Sequence, residues 1–143
     1  MKTYAKKTIH NFLIFVMCIS LISCVVKENK GDLWQNATYT EDTVLGDGSK
    51  VLTVKVVAEN KSINLYIYTD KTTLGDALSE HNLISGEIGA YGLYVKTVNG
   101  IYADYNTTKS YWSINKNGEY MSTGVDSEII EEGSTYELVY TKN

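Results

Sequence analysis

The run from Val51 to Ala58 constrains the fold more than any other stretch, because Leu52, Val54 and Val56 alternate with Thr53 and Lys55. A period of two puts the apolar side chains on one face of a strand and the polar ones on the other. Glu59-Asn60-Lys61-Ser62 is turn material, and residues 63–69 then repeat the pattern with Ile63, Leu65 and Ile67. Two alternating, β-branched runs joined by a short polar turn predict a hairpin with one dry face. A second layer has to cover that face.

The next segment offers the cover. Thr73 is a plausible N-cap with Asp76 three residues on, and Leu74, Ala77, Leu78 and His81 fall on one helical face. Asn82 can take the left-handed conformation that ends a helix, so a short helix of about ten residues is expected to lay one stripe on a sheet. Strand patterns follow at Leu93–Val98, briefly at Ile101–Ala103, at Tyr111–Asn115 and at Thr135–Thr141. Asn99-Gly100 and Asn117-Gly118 are tight-turn pairs between them. Two strands, a helix and then several strands predict an α+β fold, a β-grasp-like mixed sheet with a single packed helix.

The N-terminal segment carries a different message. Lys2, Lys6 and Lys7 precede an apolar run from Phe12 to Ile22, and no acid occurs before Glu28. This is the layout of a secretory signal, and it is shorter than the roughly 20 apolar residues that span a bilayer. Leu21-Ile22-Ser23-Cys24 resembles the bacterial lipoprotein box, which implies cleavage after residue 23 and lipidation of Cys24. The expected organisation is a signal peptide over 1–23, a lipidated N-terminus and tether over 24–44, and a folded domain over 45–143. The protein is then expected on the extracytoplasmic face of a bacterial cell membrane, held by its lipid. Stable anchoring takes about two acyl chains, which a diacylglycerol supplies.

Composition narrows the function classes. Cys18 falls in the signal and Cys24 is the acylation site, so the folded part has no thiol for a disulfide or a thiolate metal centre. The chain has thirteen lysines, seventeen carboxylates and no arginine; removing the signal takes three lysines and changes the net charge from −4 to −7. Such a surface repels phosphate and lacks the guanidinium fork, so no nucleic-acid partner is expected. There is no Gly-x-Ser-x-Gly elbow, no phosphate-cradling loop and no His-centred pair, and a non-enzyme without cofactor or metal is expected.

Ordered landmarks carry a family resemblance. They are Thr73-Leu74-Gly75-Asp76-Ala77-Leu78, Gly92-Leu93-Tyr94-Val95-Lys96-Thr97-Val98-Asn99-Gly100, Ala103-Asp104-Tyr105, Tyr111-Trp112, Asn117-Gly118-Glu119-Tyr120, Gly124-Val125-Asp126 and Glu132-Gly133-Ser134-Thr135-Tyr136. Over residues 73–140 the chain resembles the transcobalamin-like C-terminal domain family. In the vertebrate cobalamin carriers of that kind a related β-domain closes over the corrinoid, and a separate helical barrel forms the other wall. The resemblance therefore implies the β-domain fold and a possible cobalamin or corrinoid ligand. No helical-barrel pattern precedes Thr73, so another protein, such as a membrane transporter component, is expected to supply the second wall. Asn115 and Lys116 depart from the aromatic and aliphatic residues expected at those strand positions.

Aromatic residues are the main binding resource. After the signal there are eleven tyrosines, two tryptophans and no phenylalanine. Tyr and Trp combine apolar area with a polar tip and dominate binding hot spots. Alternation puts Trp112 with Ile114 on a core face and Tyr111 opposite, beside Ser113 and Asn115. Tyr111 is thus the first ligand-binding candidate, with Tyr120 and Tyr102 near the adjoining turns and Trp112 behind them. His81 lies on the apolar helical stripe and is read as a packing residue. Asp104-Tyr105-Asn106-Thr107-Thr108 begins like a calcium loop, but Lys109 stands where the turn glycine is needed, and it is read as a solvated loop. Two functions remain open: capture of a small molecule for uptake, or an interaction module that binds a protein or cell-wall glycan.

Overall fold

The computed structural model describes residues 31–143. The signal peptide and Cys24 lie outside the described residues.

The alternating runs form the hairpin expected of them. Strand β2 (Lys50–Ala58) pairs antiparallel with β3 (Lys61–Thr69), and Ala58 sits opposite Lys61 across the turn. Leu52, Val54, Val56, Ile63, Leu65 and Ile67 are all at most 2% exposed. The hairpin lies within a six-stranded mixed sheet of order β1-β3-β2-β9-β7-β8. Here β1 (Thr43–Gly46) runs parallel to β3, and β9 (Thr135–Lys142) runs parallel to β2. Strand β7 (Ser110–Lys116) lies antiparallel to β9, and β8 (Glu119–Tyr120) closes the edge across the Asn117-Gly118 turn.

The second layer has more parts than the periodicity indicated. Helix α1 (Leu74–Glu80) has seven residues, with Thr73 Oγ1 accepting from the Asp76 amide 3.2 Å away, and it buries Leu74, Ala77 and Leu78 completely. Asn82 follows at φ 53, the left-handed conformation anticipated for it. Beside the helix lies a three-stranded antiparallel sheet, β4 (Ile84–Gly89), β5 (Gly92–Val98) and β6 (Ile101–Tyr102). The Asn99-Gly100 turn joining β5 to β6 has φ values of 51° and 80°, which the pair tolerates at little cost. A one-turn helix, α2 (Tyr105–Thr108), occupies the stretch read as a solvated loop, and Asp104 caps it by accepting from the Asn106 and Thr107 amides.

The expected tether boundary needs correction. Asp32 starts a 3-10 turn over Leu33–Asn36 that buries Trp34, whose indole N–H donates to the Ala58 carbonyl at 3.1 Å. Asn99 then holds the following backbone, accepting from the Tyr39 amide and donating to its carbonyl. The stretch 31–44 therefore belongs to the fold. Leu33, Trp34, Ala37 and Tyr39 fall in a short, otherwise polar segment without a helical or strand period, which is why pattern reading passes over it.

Candidate functional site

The two layers part at one end. Strand β7 sends Trp112 and Ile114 toward the interior, and β5 sends Leu93 and Val95 to meet them. Trp112 stacks edge-on against Tyr140, with ring centroids 5.6 Å apart, and its indole N–H reaches the Ile101 carbonyl at 3.3 Å. Beyond Trp112 a groove of about 200 Å³ opens, and no helix among the described residues lines it. Its floor is Leu93, Val95, Trp112 and Ile114; Met121 and the largely exposed Tyr120 stand at its rim, and the segment 122–125 forms the wall. That wall continues into an adjoining hollow of about 520 Å³ under the β4–β5 turn, beside Tyr91, Gly92 and Asp126. Ile88 and Tyr91, 81% and 94% exposed, project from this turn.

The wall is not left to wander. Asp126 Oδ2 accepts the Leu93 amide at 2.8 Å, and the Val125 carbonyl accepts the Gly75 amide at 2.9 Å. A Cβ on Gly92 (φ 94) would be strained and would sit 2.7 Å from Asp126 Oδ2, so that position needs glycine, while a Cβ on Gly75 would push the Asp126 carboxylate aside. The sequence landmarks around Gly75, Gly92 and Asp126, scattered along the chain, thus converge on one clip. A second anchor lies further along. Glu128 Oε1 accepts from Tyr136 Oη at 3.0 Å and pairs with Lys116 Nζ at 2.7 Å. Burial, with that hydrogen bond added, pushes the Tyr136 hydroxyl up to about 12, and the Glu128 contact raises Lys116.

The four aromatic candidates do not form one site. Trp112 and Tyr120 line the groove together. Tyr111 lies half-buried on the opposite face of β7, level with Thr141 of β9. Tyr102 borders a separate hollow beside Leu33 and Asn36, and its hydroxyl donates to Asp104 Oδ2 at 3.1 Å. Leu93, Val95 and Met121 were not singled out from the sequence. They are ordinary core-type residues there, and only the gap between layers exposes them.

Two polar clusters lie elsewhere. Lys96 Nζ sits 2.7 Å from both Asp104 Oδ2 and Glu87 Oε1, the first contact dominating its raised pKa. The same lysine holds the Asp104 carboxyl down at about 2. At the far end of the molecule Asp47, Asp70, Glu80 and His81 border a polar hollow of about 270 Å³, and the buried His81 Nε2 has no hydrogen-bond partner. Among the described residues no group of three His, Cys, Asp or Glu side chains is arranged to hold a metal ion.

Comparison with known proteins places this architecture. The family model described as Domain of unknown function (DUF4430) matches residues 71–142. The chain belongs to the DUF4430 family. A crystal structure of a candidate metal-binding protein from Ruminococcus gnavus is 32% identical, with a TM-score of 0.62 over 66% of this chain and 99% of that one. Haptocorrin in complex with Cbi is 18% identical, with a TM-score of 0.52 over 68% of this chain. The chain spans only 26% of haptocorrin's length, so that likeness speaks for the fold alone. No curated protein matches in sequence. These matches agree with a mostly β DUF4430 domain carrying one small helix on a mixed, curled sheet.

Proposed function

We propose that this DUF4430 domain is a transcobalamin-like capture module, a binding protein rather than an enzyme, that holds a small molecule in the groove between β5 and β7. The observation behind this reading is an apolar floor left open between β5 and β7, with a wall pinned by Asp126. Concave, apolar and preformed is the usual character of a ligand site. Haptocorrin shares the fold, and a corrinoid suits the groove as a broad ligand with polar amide fringes. An open groove gives it one wall, and a membrane transporter component is the partner proposed for the other. Cys24, lipidated, would hold the domain at the extracytoplasmic face of the bacterial membrane.

Titrating the mature domain with cobalamin and with cobinamide, read by tryptophan emission and thermal unfolding, tests the capture reading. At a hundred times Kd a bound ligand adds about 2.7 kcal/mol of stability, well within reach of a melting curve. If neither compound gives a saturable response, alone or with a transporter component, the reading fails. Incorporation of labelled palmitate, lost in Cys24→Ser, tests the anchor.

A second reading rests on Ile88 and Tyr91, whose exposure suits contact with a protein or cell-wall glycan. Retention of one envelope protein by the domain, without competition from corrinoid, would favour it.

A further inference from the structure

The charges around the groove say what kind of ligand it takes. Among the described residues bordering the groove and its adjoining hollow, Asp126 is the one that carries a charge. The described unit has eight lysines against sixteen carboxylates, and seven of those lysines are engaged elsewhere. Lys96 is clamped by Asp104 and Glu87, and Lys116 by Glu128 and Glu131. Lys55 and Lys71 pair with Glu137 and Glu80, and Lys50 donates to the Lys71 carbonyl. Lys61 and Lys109 lie over the rings of Trp34 and Tyr105. Lys142 pairs in register with Ser110, at the end of β7 remote from the β8 edge.

An anionic ligand would therefore enter an apolar groove where no cation among the described residues meets it, inside the negative field of the described unit. Burying an unpaired charge is costly, and here it would also face Asp126. A cation meets the reverse. Asp126 gives one oxygen to the Leu93 amide but is itself exposed, so the carboxylate remains accessible from the hollow.

We infer that the groove selects a cationic amphipath, a molecule whose flat apolar body lies over Leu93, Trp112 and Ile114 while its positive end reaches Asp126. This rests on the capture reading and adds the sign of the ligand's charge, which that reading leaves open.

A matched pair of xanthene dyes, cationic rhodamine 6G and anionic fluorescein, tests it by fluorescence anisotropy on the full mature domain. Rhodamine 6G is expected to bind about fivefold or more tighter at low salt, with the preference shrinking as salt is raised. Asp126→Asn keeps an oxygen for the Leu93 amide and should remove most of the preference while the melting temperature holds. Thr123→Lys, at an exposed position on the wall, should shift the preference toward fluorescein without touching the clip. If fluorescein binds as well as or better than rhodamine 6G, the charge assignment is wrong and capture stands. If rhodamine 6G binds tighter but Asp126→Asn leaves the ratio unchanged, Asp126 is not its source and the inference is overturned. Failure of both dyes to bind overturns the inference, and capture is then judged by the cobinamide titration alone.

Discussion

The two faces of the six-stranded sheet are built from the same strands and do different things. On the inner face Leu52, Val54, Leu65, Tyr136 and Leu138 are at most 1% exposed, sealed by α1, the small sheet and Trp34. On the outer face Lys55 pairs with Glu137, both partly exposed, and Tyr66 and Tyr68 remain 38% and 41% accessible. Stability therefore resides on the inner face, at roughly 1.5–3 kcal/mol for each large side chain fully buried. The proposed binding groove lies at the margin of that same face, where the cover ends and core-type residues meet solvent. The candidate site is a gap in the packing, and the aromatic outer surface is a separate feature.

Substitutions in neighbouring positions can break that contrast. Trp112→Ala should cost about 3–5 kcal/mol in urea unfolding, because it removes an indole packed on Tyr140 from the inner face. A loss below about 1 kcal/mol would show that β7 does not turn Trp112 inward. Trp34→Ala should cost about 3 kcal/mol, since the 3-10 turn would lose its buried anchor; an unchanged unfolding midpoint would return 31–44 to the status of a tether.

The pH dependence sharpens the account of the second layer. Asp104 has its pKa depressed from 3.8 to about 2 by Lys96, so its contribution to stability is present above 3.8. That contribution should fade as acid carries the solution through about 2. Asp104→Asn should flatten the slope of unfolding free energy between pH 4.5 and 2, and an unaltered slope would mean that the Lys96 contact is not maintained in solution. The smallest effect belongs to Tyr111→Ala on the outer face, within about 0.5–1 kcal/mol in stability and with ligand affinity unchanged. A clear loss of affinity in that variant would move the site to the other side of the sheet.

Much of this was legible in the order of residues. Alternation gave the β2–β3 hairpin and its dry face, Thr73 and Asn82 bounded the helix, and two Asn-Gly pairs marked tight turns. Strand β4 escaped notice because Ile84-Ser85-Gly86-Glu87-Ile88-Gly89 is glycine-rich and pairs through a bulge between Ser85 and Gly86, so no period of two survives. Trp34 is hidden because Leu33, Ala37 and Tyr39 around it follow neither a helical nor a strand period. For the site, residue type points to Tyr111, Tyr120, Tyr102 and Trp112, with Tyr111 first because alternation turns it outward, and the groove takes in Trp112 and Tyr120. A groove depends on where one layer stops short of another, which is a property of long-range packing that no local pattern encodes. Asp126, Gly75 and Gly92 were visible as landmarks, but their convergence needed the fold.

The most direct test of the groove is a methyl-resolved NMR titration of the mature domain with cobinamide. The account predicts that the methyls of Leu93, Val95 and Ile114 and the indole of Trp112 shift along one saturable curve, while those of Val51, Val57 and Val139 on the outer face stay still. Shifts centred on Val51, Val57 and Val139, or a titration in which the groove methyls do not move, would contradict it.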